Sequence, residues 1–354
     1  MNTKEETVSQ VAVEEAPETA AAPMSPREVK RAAKAAKKQE KLDRKAAKKQ
    51  EKLAKEKARL KKKGKKRRWR WGDRSDGYRV HNLTPYSMVS PYIMQIRSDS
   101  QNHFEEEIDI TEVEEYIRAK RKEGLTNFGL LHVMLAAYVR GISQRPAINR
   151  FISGDRIYSR NNIEIVMVIK KQMTSTAPDT AIKCYFEPED TIDDIYAKWN
   201  KVIEDTMAVG DSSFDKTAKV LSFIPGLLLR GAVKLLRGMD YFGLLPKFLL
   251  RVSPFHGSMI ITSMGSLGIG PIYHHLYDFG NLPVFLSYGK KYTRVVLDDQ
   301  GNPAKRHFIG FRAVTDERIC DGFYYASAFK IILHGIKHPK SLETPPEKVY
   351  DDVM

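Results

Sequence analysis

From Asp73 onward the chain reads as alternating periods of apolar and polar positions, and the period predicts the element. Phe104 to Thr111 (F-E-E-E-I-D-I-T) alternates with a period of two and predicts a strand, followed by a helix over Thr111 to Glu123. Asn127 to Ser143 sets Phe128, Leu131, Met134, Leu135 and Val139 at helical spacing, an apolar stripe for the core. Ile163 to Lys170 is a β-branched run, Lys183 to Phe186 a further strand, and Thr191 to Thr206 an amphipathic helix containing Ile192, Ile195, Tyr196, Trp199 and Val202. The later strand candidates are Met259 to Thr262, Val284 to Tyr288, Thr293 to Leu297 and His307 to Val314, before a closing helix from Phe323 to Gly335. Helices and strands alternate first and strands dominate afterwards, so the class is α+β with a mixed sheet.

Ahead of this lie two segments of different character. Residues 1–24, rich in Ala, Glu, Thr and Pro, hold too little apolar surface to offset the entropy of ordering and are expected to be disordered. Residues 25–72 form a Lys/Ala-rich arm expected to be helical, in which A-A-K-K-Q-E-K-L at Ala35 to Leu42 recurs at Ala46 to Leu53, a period of 11 residues. Eleven residues make close to three helical turns, so Leu42 and Leu53 return to nearly the same face. The arm ends in K-K-K-G-K-K-R-R-W-R-W, where Trp69 and Trp71 interleave with Arg68 and Arg70. Attachment to an anionic membrane surface or to nucleic acid through residues 25–72 is one reading; a solvated helical spacer is the other.

Charge follows this division. The 354-residue chain carries a net +15, but residues 1–24 hold one Lys against five Glu and residues 25–72 hold 23 Lys or Arg against five acids. The remainder, residues 73–354, is near neutral, so the basic balance describes an appendage rather than the fold. Within it, Ala218 to Arg251 stands apart: apolar faces combine with basic charges, and Asp240 is the lone acid. Such a pair of cationic amphipathic helices suits either a membrane surface or a neighbouring subunit. Cys184 and Cys320 have no spacing that points to a disulfide framework or a metal site. With no secretory leader pattern and no apolar stretch of roughly 20 residues, the expectation is a cytoplasmic protein, or one peripheral at the inner membrane surface.

Three passages resemble one family. Asn102 to Thr111, then Leu131 to Ile165 with its R-P-A-I-N-R-F-I-S-G-D-R passage, is similar to the first strand, helix and P-E-F-R-like passage of the trimeric superfamily containing chloramphenicol acetyltransferase and the dihydrolipoyl acyltransferase (2-oxoacid dehydrogenase) catalytic domains. Ile260 to Ile269, I-I-T-S-M-G-S-L-G-I, resembles the family's T-I-S-N-L-G-x-x-G-I. Thr315 to Phe323, T-D-E-R-I-C-D-G-F, looks like its H-x-x-x-D-G signature, with Glu317 in the histidine position. The likeness spans roughly Gly77 to Pro339.

The resemblance implies a chloramphenicol acetyltransferase-like two-layer sandwich, a homotrimer with sites between subunits, and acyl-CoA as substrate. It places Glu317 as base, Thr262 as donor to the oxyanion, Asp321 as a brace ion-paired to an arginine (Arg97 or Arg79), Gly322 at the turn into the last helix, and Ser263 with Gly322 beside CoA. It implies no metal, and neither a lipoyl domain nor a subunit-binding segment is recognisable before Asp73. An ordinary glutamate, near pKa ~4.3, is a weaker base than histidine by about two units, and burial would close that gap. The alternative for Glu317 is an ion pair with its neighbours, and for Thr262 a hydroxyl satisfying strand-end backbone. His274, His275 and His307 are substitute bases to consider. Two functions stay open: a CoA-dependent acyltransferase, or an inactive relative serving as trimeric scaffold or ligand sensor.

Overall fold

The computed structural model describes residues 69–170, 179–208, 219–298 and 300–352, with residues 37–41, 44, 45, 48, 51 and 55 before them. The chain divides into two compact units, Met1–Ala54 and Lys55–Met354. In the first, the described positions are helical and exposed; the expected disordered tail and most of the 11-residue repeat lie outside the described residues.

The second unit is built on a six-stranded mixed sheet in the order β2-β9-β8-β7-β5-β6. Its strands are β2 (Gln101–Asp109), β5 (Ile163–Lys170), β6 (Asp179–Phe186), β7 (Met259–Ser263), β8 (Val284–Leu297) and β9 (Pro303–Asp316). β7 runs parallel to β5 and to β8, and the other neighbours are antiparallel. One face carries α2 (Thr111–Lys122), α3 (Leu130–Gln144), α4 (Ile192–Ala208) and α7 (Gly322–Lys337), packed on inward residues such as Ile165, Ile261, Leu286 and Ala313. The alternate residues, Val166, Ile260, Phe285 and Val314, pack with Leu276 and Leu282 of the segment before β8. Period-two alternation thus sorts β5, β7, β8 and β9 between a thick helical layer and a thin loop layer, giving the expected α+β two-layer sandwich.

Two departures from the sequence pattern have local causes. The runs expected as separate strands at Val284 to Tyr288 and Thr293 to Leu297 are one strand, because a bulge between Tyr288 and Lys291 absorbs the interruption. Gly289 sits in that bulge where a Cβ would lie 2.5 Å from Pro271 Cδ, so only glycine fits. The small sheet β1-β4-β3 (Gly77–Arg79, Arg156–Arg160, Arg150–Ser153) was not anticipated. Its hairpin turns on Gly154 and Asp155, both with φ near +55°, a primed turn that matches strand twist.

The cationic region forms α5 (Gly226–Tyr241) and α6 (Lys247–Val252), while α1 (Pro85–Ile93) begins at a Thr84 cap and follows β1. Trp199 of α4, stacked on Phe186, is fully buried in the main core. Trp199→Ala should therefore cost about 3–5 kcal/mol of stability, read as a lowered denaturant midpoint with unchanged slope.

Candidate active site

The segment that ends β9 is fixed by a buried charge cluster. Asp316 is 1% exposed and its carboxylate meets two guanidinium groups: Arg318 donates from Nε at 2.8 Å and from Nη2 at 2.7 Å, and Arg97 from Nε at 3.3 Å. Arg318 Nη1 also donates to the Met94 carbonyl at 2.9 Å, and Arg97 Nη2 to the Gly280 carbonyl at 3.0 Å. Burial lowers the Arg97 pKa, the Asp316 charge opposes that shift and the Arg318 charge adds to it. One carboxylate is thus the counter-ion holding two desolvated cations, and it ties the β9 end to the segment after α1 and to the segment before β8.

Glu317 comes next, and this anchoring turns it outward. Its amide donates to the Ser100 carbonyl at 2.8 Å, while its exposed side chain makes no hydrogen bond or ion pair among the described residues. The ion pair considered for it with Arg318 is not formed, because Arg318 is occupied by Asp316. Asp321 is not ion-paired to an arginine either: Arg97 pairs with Asp316, and Arg79 belongs to the β1 edge, where its amide donates to Asp73 Oδ1 at 2.9 Å. Asp321 instead caps α7, accepting from the Tyr324 amide at 2.7 Å. Gly322 is the first residue of α7, with open space around it and no positive φ, so the tight turn expected there does not require glycine.

Thr262 is the penultimate residue of β7 and half-buried, its hydroxyl 3.8 Å from Met264 Sδ, and Ser263 ends the strand, its hydroxyl at Tyr288. The following turn is tight: Gly265 would place a Cβ 2.8 Å from the Gly289 carbonyl, and Gly268 has φ +74°. Pairing register then separates the two candidate groups. Thr262 pairs with Ser287 and Ser287 with Arg312, so Glu317 lies five residues further along β9 and two strands across. At strand spacings this is about 20 Å. A single chain does not bring Glu317 and Thr262 together.

The histidines are engaged elsewhere: His307 pairs with Glu114, and His274 stacks on Phe285 with centroids 4.0 Å apart. No group of His, Cys, Asp and Glu among the described residues could hold a metal ion.

A second charged cluster escaped sequence reasoning. Arg74 donates to Asp76 at 2.8 Å and to Asp240 at 2.7 Å, and His256 Nε2 lies 3.3 Å from Asp240. Burial works to raise the Asp240 pKa, but the His256 hydrogen bond and the charges of His256 and Arg74 hold it at about 2. Nearby, Lys183 Nζ donates to the Leu250 and His256 carbonyls at 2.8 and 2.6 Å, and burial pushes its pKa down to about 8 against the Glu164 charge. A pocket of about 170 Å³ opens here, lined by Asp76, Arg160, Glu164, Lys247, Arg251 and His256. Its members come from segments as distant in the chain as Asp76 and His256, whereas Asp316 and Arg318 flank Glu317 and were visible as a D-E-R triplet.

No family model matches the chain, and no curated protein matches it significantly. Among solved structures it is similar to a probable dihydrolipoamide acetyltransferase from Listeria monocytogenes, at 17% identity over 73% of this chain and 94% of that one, TM-score 0.45. It is also similar to the cubic core of the pyruvate dehydrogenase multienzyme complex (13%, 74% and 93%, TM-score 0.47) and to a chloramphenicol acetyltransferase (13%, 70% and 92%, TM-score 0.42).

Two measurements check these electrostatics. Asp316→Asn leaves two buried arginines without their counter-ion and should cost about 3–5 kcal/mol by chemical unfolding. Lys183 has a folded pKa below its unfolded value, so the unfolded chain binds more protons between about pH 8 and 10.5. Its contribution to stability should therefore rise with pH across that window. Lys183→Met should flatten that rise.

Proposed function

We propose that the chain is a CoA-dependent acyltransferase whose site is assembled between copies in a homotrimer, moving an acyl group from acyl-CoA to a thiol, hydroxyl or amine acceptor. The observation that carries this reading is the matching state of the two half-sites. Next to Glu317 in sequence, Arg318 donates to the Met94 carbonyl at the end of α1, and Tyr92, Ile93 and Ile96 of that region, with Phe323 of α7, are exposed large apolar side chains. On the Thr262 side, Ser287, its register partner, accepts from the Ile272 amide at 3.0 Å, and Leu267, Ile269, Ile272 and Tyr273 of the segment after β7 are exposed in the same way. Apolar patches of this kind mark surfaces that a partner covers. The motif resemblance supports a single interface that joins the two halves.

In that interface each group has a role set by its chemistry. Excluding water from a carboxylate strengthens it as a base, so a covered Glu317 takes the proton from the acceptor as the acceptor attacks the thioester carbonyl. Thr262 donates a hydrogen bond to the oxyanion that forms there, a contact worth about 3–4 kcal/mol when preorganised. The tetrahedral intermediate collapses, the carbon–sulfur bond breaks, and CoA leaves as its thiol with a proton returned from Glu317. Asp316 and its arginines position Glu317 without touching the reacting atoms. Asp321 holds the start of α7 beside it, and Ser263 and Gly322 border the CoA path.

The test is release of CoA thiol from acetyl-CoA with thiol, alcohol and amine acceptors. Glu317→Gln should lower turnover about 100-fold or more, and Thr262→Ala should do so by a similar factor. Mixed oligomers of the two variants should regain activity, because some interfaces then carry both intact groups. A wild-type chain with no transfer, gaining it only as Glu317→His, would establish the scaffold instead.

A further inference from the structure

The segment from Lys219 to Val252 leaves its outer side bare. In α5 the half-buried residues Leu229, Val233 and Leu236 face the fold, and Asp240 is buried. Leu228, Leu235 and Phe242 follow at intervals of seven, which returns them to one stripe of the helix, and all three are exposed. Leu227 beside them is 85% exposed. Arg230, Lys234 and Arg237 form a neighbouring exposed stripe. The outer surface is therefore split lengthwise into an apolar band and a cationic band.

Within this segment no exposed acid offsets those cations. Asp240 is the lone Asp or Glu between Lys219 and Val252, and it points inward to Arg74 and His256. A second observation, independent of the helix, places more of the same chemistry alongside. The Arg74–Asp240 bond fixes residues 69–74 at the end of α5, and Gly243 approaches Arg74 so closely that a Cβ there would lie 3.3 Å from Arg74 Cγ. Three residues before Arg74, Trp71 is 87% exposed, and Trp69 and Arg70 are exposed with it. In sequence they directly follow K-K-K-G-K-K-R-R. Two cationic and apolar elements distant in the chain thus meet at the end of α5.

We infer that this side docks on an anionic lipid bilayer. An apolar band flanked by cations suits the boundary between headgroups and acyl chains, with leucine, phenylalanine and tryptophan entering it and arginine and lysine reaching the phosphates. The exposed apolar face of α1 differs: P-Y-S-M-V-S-P-Y-I holds no charge and suits a protein partner. Attachment is peripheral, since no helix among the described residues is long and apolar enough to cross a membrane.

The experiment is sedimentation of the full chain with vesicles of phosphatidylcholine alone or mixed with phosphatidylglycerol. Binding to the mixed vesicles only, weakening with salt, is the expected result. Because Trp199 is buried, a blue shift of tryptophan emission on binding reports Trp69 and Trp71. Leu228→Glu and Leu235→Glu, at exposed positions, should each weaken binding about tenfold or more, with the unfolding midpoint and oligomeric mass unchanged. Arg230→Gln and Arg237→Gln should each weaken it about fivefold. Equal binding to neutral vesicles, no vesicle binding, or loss to nucleic acid alone would overturn the inference. So would vesicle binding indifferent to the leucine changes, which would assign it to the arm's charge. A change of oligomeric mass in the leucine variants would also overturn it, by making this face a contact between copies.

Discussion

A single buried carboxylate governs the end of the sheet on which the functional reading rests. Asp316 is the shared counter-ion of Arg97 and Arg318, and those arginines bind the carbonyls of Gly280 and Met94. Neither cation could stay desolvated without it. The two guanidinium groups are bound inward, and the Glu317 side chain after them has no partner among the described residues. Glu317 therefore faces out between the β2 edge and the start of α7. The same constraint keeps it about 20 Å from Thr262, by register and strand spacing. Chemistry that needs both groups must recruit the second from another copy.

The surface of the second unit divides according to what can cover it. Around Glu317 and Thr262 the exposed apolar residues belong to loops, to the uncharged helix α1 and to the first turn of α7. Along α5 they lie beside a row of exposed cations, and the helix's one acid, Asp240, is buried. Apolar surface without charge suits a protein neighbour, and apolar surface with unbalanced positive charge suits an anionic bilayer. The Arg74 network holds the cationic province to the fold. It fixes α5 through Asp240, and a neighbouring network fixes α6 through the Lys183 bond to the Leu250 carbonyl.

Much of this architecture was legible in the sequence because burial imposes a period. Ile163–Lys170 was read at its observed bounds, and Thr111, Ile192 and Gly322 open helices within a residue of their expected starts. The small sheet was missed because its short strands turn on a two-residue hairpin whose Gly-Asp signal was absorbed into a longer motif. β8 was read as two strands because Gly289 looks like a break, whereas it fills a bulge against Pro271. At the site, Glu317 and Thr262 stood out by motif, but a motif carries no distance. The arginine bond expected of Asp321 belongs to Asp316, a displacement of five residues that only packing reveals.

The central claim is that the paired half-sites form an acyl-CoA site, and calorimetric titration of the full chain with CoA and acetyl-CoA tests it without presuming an acceptor. The account predicts binding near one molecule per chain, lost when Tyr273→Asp places charge in the apolar border of the Thr262 half-site. Absence of binding by the correctly assembled oligomer would contradict it.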